Sequence, residues 1–160
     1  MTKGAEAPRE GGILAGARGA DDRSLPSPHP LRLNLQISPV PEGVADARRA
    51  LERLHLPPEA LADAKLLVSE LVTNGVRHAD LGPEEKILLT AEREGSMLRI
   101  SVRDRTEGNP PFSTAGSIRP PPGAESGWGL FLVDRLASRW GTGRGPGSSF
   151  WFELDLGAAS

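Results

Sequence analysis

The chain reads as an α+β domain, a two-layer α/β sandwich with a mostly antiparallel sheet and its helices on one face. Three observations predict this. Apolar residues alternate with polar ones in separate tracts at 31–37, 87–103 and 150–156, the period of half-buried strands. Between the first two tracts, from Val44 to His78, the apolar period lengthens to that of helices. The order β-α-α-β-β-loop-α-β then groups helices against one antiparallel sheet rather than weaving them through a parallel one.

Each element has its own reason. In the first strand Leu31, Leu33, Leu35 and Ile37 alternate with Arg32, Asn34 and Gln36, and Pro39 and Pro41 end it. Pro41 also suits a first helical turn, where its missing N–H is no loss. Val44, Ala47, Leu51 and Leu54 make one stripe of the first helix, which stops before Pro57-Pro58. A second helix starts near Glu59 and runs to about His78, with Leu61, Ala64, Leu67, Val68, Leu71, Val72 and Val76 as its apolar face. Gly82-Pro83 marks a loop. Ile87, Leu89 and Ala91, then Leu98, Ile100 and Val102, form a hairpin around Glu94-Gly95-Ser96, with Leu88 interrupting the polar face. A third helix is expected from about Trp128 to Ser138, a short strand near Trp140-Gly141, and a last strand with Phe150, Phe152, Leu154 and Leu156 on one side. Trp151, Glu153 and Asp155 occupy its other side.

Two segments carry no period. Residues 1–30 are rich in Gly, Ala, Pro and mixed charge, with few large apolar side chains to offset the entropy of ordering. They are expected to form a disordered tail ahead of one domain spanning 31–157. Residues 104–126 hold five prolines and three glycines. A loop of that length inside a compact domain suggests a lid or a binding loop.

Composition excludes several classes of function. A hydrophobic fraction of 38% suits one core. Without cysteine there is no disulfide, thiolate catalysis or Cys-ligated zinc. A net charge of −2 gives no general basic field for nucleic acid or anionic lipid. No apolar run approaches the roughly 20 residues that cross a bilayer, and Ile13-Leu14-Ala15 is too short for a signal-peptide core. The expectation is a cytoplasmic protein with no membrane segment and no nucleic-acid partner.

Four places carry candidate chemistry. Glu70, Asn74 and His78 stand at i, i+4 and i+8 on one face of the second helix. Asn74 is a poor interior helix residue, and Gly75 after it costs about 1 kcal/mol relative to alanine. An Asn oxygen suits Mg2+, and a carboxylate one turn earlier suits a general base; on spacing alone, a solvated polar face is the alternative. Asp104 follows Leu98, Ile100 and Val102 by parity onto the apolar side of the sheet. There a carboxylate needs a donor, such as an adenine amine, or Arg105 or Arg135. Gly127-Trp128-Gly129-Leu130 opens a helix whose free N–H groups could meet phosphate. Ser148 shares the parity of Phe150 and Phe152, and a serine satisfied by backbone is the plainer account.

Taken in order, these pieces resemble the GHKL ATPase/kinase superfamily, whose ATP-binding domain has the Bergerat fold. More narrowly they resemble the anti-sigma-factor serine kinases of bacterial partner-switching systems. The tract Ser-Glu-Leu-Val-Thr-Asn-Gly-Val-Arg-His-Ala (69–79) resembles the family's N-box, Glu-Leu-x-x-Asn-Ala with a trailing His-Ala. The resemblance implies ATP and Mg2+ as ligands, Asn74 as the Mg2+ ligand and Glu70 as the base. Arg77 and His78 come within the nucleotide-binding tract, and Asp104 is placed as the adenine-binding aspartate. Gly127, Gly129 and Leu130 resemble the second glycine box, and Gly147-Ser148-Ser149 the Gly-Thr-Thr that opens the last strand. One departure stands out: the first glycine box normally reads Asp-x-Gly, and here Thr106 holds the glycine's place, with Gly108 two residues late. The implied function is transfer of the γ-phosphoryl group of ATP to a serine of an anti-anti-sigma (STAS-type) partner, alternating with sequestration of a sigma factor. The alternative is a protein-binding regulator of the same fold with weak or lost nucleotide binding. The family often forms homodimers. A detached histidine-kinase ATP domain ranks behind both, because no phosphoacceptor-helix pattern precedes residue 31.

Overall fold

The computed structural model describes residues 32–78, 81–82, 84–104, 122–124, 128–143 and 149–157. The expected tail, Leu31 and most of the proline-rich loop lie outside them. The described elements are β1 (Arg32–Ile37), α1 (Pro41–Glu52), α2 (Pro58–His78), β2 (Ile87–Glu94), β3 (Met97–Arg103), α3 (Trp128–Leu136), β4 (Arg139–Gly143) and β5 (Ser149–Asp155). The strands form one sheet in the order β1-β2-β3-β5-β4, and every neighbouring pair is antiparallel.

The alternation seen in the sequence sets the inner face. Ile37, Ile87, Leu89, Ala91, Leu98, Ile100, Phe150 and Phe152 are all almost wholly buried. They share one core with Ala47 and Leu51 of α1, Ala64, Leu67, Val68, Leu71 and Val72 of α2, and Leu130 and Val133 of α3. Burial of this apolar area is the main stabilising term, at roughly 25 cal/mol per Å² removed from water. The outer face is polar. Across it run Arg32, Glu92, Arg99, Glu153 and Arg139, one from each strand in register. Opposite charges alternate along this row, and Glu153 meets both Arg99 (3.0 Å) and Arg139 (3.9 Å). Trp151 faces outward as expected, but it is half-buried. The Arg99 guanidinium lies 3.9 Å from its ring centroid. Gly141 lies beneath the indole, which stands 2.8 Å from where a β-carbon on that glycine would be.

Three boundaries differ from the sequence reading. Leu54 lies past the end of α1, in the turn, yet it is buried. α3 ends at Leu136 rather than Ser138, because the Ser138 N–H donates to the Glu153 carbonyl (2.8 Å) and the chain is drawn into the sheet. The short strand near Trp140-Gly141 extends over five residues, Arg139–Gly143, anchored by Trp140. That indole stacks on Phe150 at 5.5 Å and donates to Asp134 of α3.

α1 and α2 are joined across their connection by Lys65 Nζ donating to Glu52 Oε1 at 2.5 Å. This hydrogen bond, then the Lys65 charge, holds the Glu52 carboxyl below its usual range. A depressed folded-state pKa gives a contribution present above the ordinary carboxylate pKa and lost as pH falls through the lowered value. The pair is solvent-exposed, so the contribution is small. Lys65→Met is expected to flatten the decline of thermal midpoint with acidification below about pH 4.5, as midpoints scanned across pH would show.

Among the described residues, no helix is long and apolar enough to cross a membrane.

Candidate functional site

α2 carries the candidate residues Glu70, Asn74, Arg77 and His78. Pro58 opens it and Glu59 sits in its first turn, where the N-terminal dipole favours a carboxylate. Ala60, Ala64, Leu67, Val68, Leu71, Val72 and Gly75 form one buried stripe facing the sheet. Glu70 and Asn74 lie on the shoulder of that stripe, one turn apart and half-buried. There an amide or carboxylate is held in place while still reaching a ligand. Arg77 is exposed, one turn further on. The backbone of His78 closes the helix, and its side chain lies outside what is described. Ser69 is engaged within the helix, its hydroxyl donating to the Lys65 carbonyl at 2.6 Å.

Asp104 is the first residue after β3. It is 5% exposed, and with Ser149 it is one of two buried polar residues among those described. Parity along Leu98, Ile100 and Val102 thus carries its side chain to the core side, as the sequence predicts. The β2–β3 register runs Leu89 to Val102 and Leu88 to Arg103. The pairing ends there, with Asp104 following Arg103 and Ile87 preceding Leu88. Ile87 is also the residue against which α2 closes: a β-carbon on Gly75 would stand 3.2 Å from Ile87 Cδ1. Gly75, next to Asn74, and the end of β3, next to Asp104, thus both lie near the start of β2.

α3 borders this group. Gly129 is buried, and Leu130, at the start of the helix, packs into the hydrophobic core. Only the backbone of this pair is left to meet a ligand. Gly127 and Ser148, and Thr106 with the rest of the altered first glycine box, lie outside the described residues. Trp128, which is not among the candidate ligand residues read from the sequence, anchors the start of this helix. Trp128 donates its indole N–H to the Ala124 carbonyl (2.8 Å) and meets Phe131 edge-on at 5.6 Å. It ties residues at the end of the proline-rich loop to the first turn of α3. The signal was available in principle, since a half-buried indole needs an acceptor, but the position of that acceptor depends on the fold.

Among the described residues, no group of three or more His, Cys, Asp or Glu side chains could hold a metal ion. A single neutral amide oxygen at Asn74 fits a cation that arrives with phosphate and keeps several waters, as Mg2+ does. A cleft of about 300 Å³ between β1 and α1, lined by Leu35, Gln36, Asp46, Arg49, Ala50 and Arg53, shares no residue with this group.

Comparison with known families matches residues 37–147 to the histidine kinase-like ATPase domain. That range contains Glu70, Asn74, Asp104 and the start of α3. Among solved structures, the chain is similar to the RsbU and RsbW domains of Rv1364c from Mycobacterium tuberculosis, with a TM-score of 0.55 and 21% sequence identity. The similarity covers 78% of this chain and 32% of that one, so the present chain spans about a third of its length. At that identity the likeness establishes the fold. No curated protein matches the chain.

Proposed function

Because the chain belongs to the histidine kinase-like ATPase domain family, we propose that it binds Mg·ATP and passes the γ-phosphoryl group to a serine or threonine of a protein partner. The observation that supports this reading is the family match over residues 37–147, which spans half-buried Glu70 and Asn74 one turn apart on α2 and buried Asp104 after β3. Asp104 would accept from the adenine amine. Asn74 would hold Mg2+, which would supply charge neutralisation at the phosphates. Glu70, one turn before Asn74, would take the proton of the attacking hydroxyl, and the first turn of α3 would offer backbone N–H groups to phosphate. Phosphoryl transfer of this kind rests mainly on positioning and charge neutralisation.

The partner we propose is an anti-anti-sigma protein of the STAS type, with a sigma factor held in the alternative state. The RsbW-containing neighbour supports this through its fold. Incubating the chain with γ-labelled ATP, Mg2+ and candidate STAS-type partners is expected to label a serine or threonine of one partner. No label under any condition would remove the kinase reading. A second reading, a sequestering regulator without turnover, is favoured by Thr106 in place of the glycine that lets backbone approach the base. It predicts partner binding that is indifferent to nucleotide.

A further inference from the structure

We propose that Ile87 is a positioning residue: its δ-methyl group is the spacer that sets the Asn74 turn of α2 at the correct height above Asp104. The inference rests on the nucleotide-site reading above and adds to it a residue that touches no ligand. Ile87 is fully buried at the first position of β2. On one side it pairs with Ile37 of β1, and on the other the β2–β3 pairing ends one residue along, at Leu88 and Arg103, with Asp104 next in the chain. Above it lies Gly75. A β-carbon there would stand 3.2 Å from Ile87 Cδ1 and 3.9 Å from Cγ1, and no other atom is within 4 Å outside the helix backbone and chain neighbours. The bare glycine in the helix interior thus has a specific counterpart. The isoleucine δ-methyl stands a few tenths of an ångström closer to that position than ordinary van der Waals contact.

The consequence is mechanical. Interiors are close-packed, so a shift of a few tenths of an ångström is passed on rather than absorbed. Asn74 is the residue next to Gly75 on the same rigid helix, and Asp104 follows Arg103, which pairs with Leu88, the neighbour of Ile87. Ligand-holding groups lose effectiveness when displaced by about 0.5 Å. A β-carbon at 75 would crowd the Ile87 δ-methyl by a few tenths of an ångström; the displacement passed to α2 would shift Asn74, and removing that methyl would relieve it.

The test is a double-substitution cycle in the full chain, read by Mg·ATP affinity and by thermal midpoint. Gly75→Ala is expected to weaken Mg·ATP binding by about 3- to 10-fold. Ile87→Val removes only the δ-methyl; combined with Gly75→Ala it should restore affinity to within about twofold of the parent. A purely structural contact would move the midpoints and leave affinity unchanged. Unchanged affinity in folded Gly75→Ala, or failure of Ile87→Val to restore it, overturns the proposal. Should Gly75→Ala not fold, Ile87→Leu gives the same decision: it conserves volume but relocates the methyl, so weaker binding is expected and unaltered binding overturns the proposal. A parent that binds no nucleotide would overturn both the site reading and the positioning. A failed cycle in a parent that does bind overturns the positioning alone.

Discussion

Asp104→Ala is expected to lower affinity for Mg·ATP by about 10- to 150-fold, the range for losing one hydrogen bond to a charged acceptor. The carboxylate is buried at the end of β3, where water competes little with a bound base. A carboxylate accepts from the exocyclic amine of adenine and repels the carbonyl oxygen that guanine presents at the same position. Discrimination between ATP and GTP should therefore collapse together with affinity. Competition titrations of both nucleotides against a fluorescent analogue check this. The thermal midpoint is measured alongside, because the substitution also removes the contacts Asp104 makes within the protein. Loss of affinity with the preference for ATP intact would place the base elsewhere.

Glu70→Gln is expected to slow phosphoryl transfer by about 10²- to 10⁴-fold, the usual contribution of a positioned general base. Glutamine keeps the shape and the half-buried place on the shoulder of α2 but cannot take a proton. Mg·ATP affinity should stay within about twofold of the parent, since the base acts on the attacking hydroxyl rather than on bound nucleotide. Initial rates of label transfer to a STAS-type partner, set beside equilibrium binding, separate the two effects. Equal loss of both would make Glu70 a nucleotide-binding residue. Transfer at the parental rate would remove it from the chemistry.

The parts of this fold legible in the sequence are those where a period runs long enough to be counted. The alternation through Leu98, Ile100 and Val102 placed Asp104 on the core side before any coordinates, because parity in a strand leaves no other choice. The i, i+4 spacing placed Glu70 and Asn74 on one face of α2, and their half-buried place on the shoulder of the apolar stripe is seen only in the fold. Short or interrupted elements were less legible. Arg139–Gly143 has two glycines in five residues, and its extent as a strand depends on Trp140 finding Phe150 and Asp134. The end of α3 depends on Glu153, fifteen residues later, accepting from the Ser138 N–H. Gly75 reads as a weak point of a helix until Ile87 is seen beneath it. Trp128 reads as a helix start until Ala124 is seen to accept its indole proton. Each of these rests on a partner distant in sequence or held by the fold, which no local pattern contains.

The most direct test of the account is calorimetric titration of Mg·ATP into the full chain, with Asn74→Ala as the control. The account predicts saturable one-site binding in the parent, dependent on Mg2+, and its loss in a control that is folded with an unchanged far-ultraviolet spectrum. Absence of binding to a folded parent, or equal binding by parent and control, would contradict it.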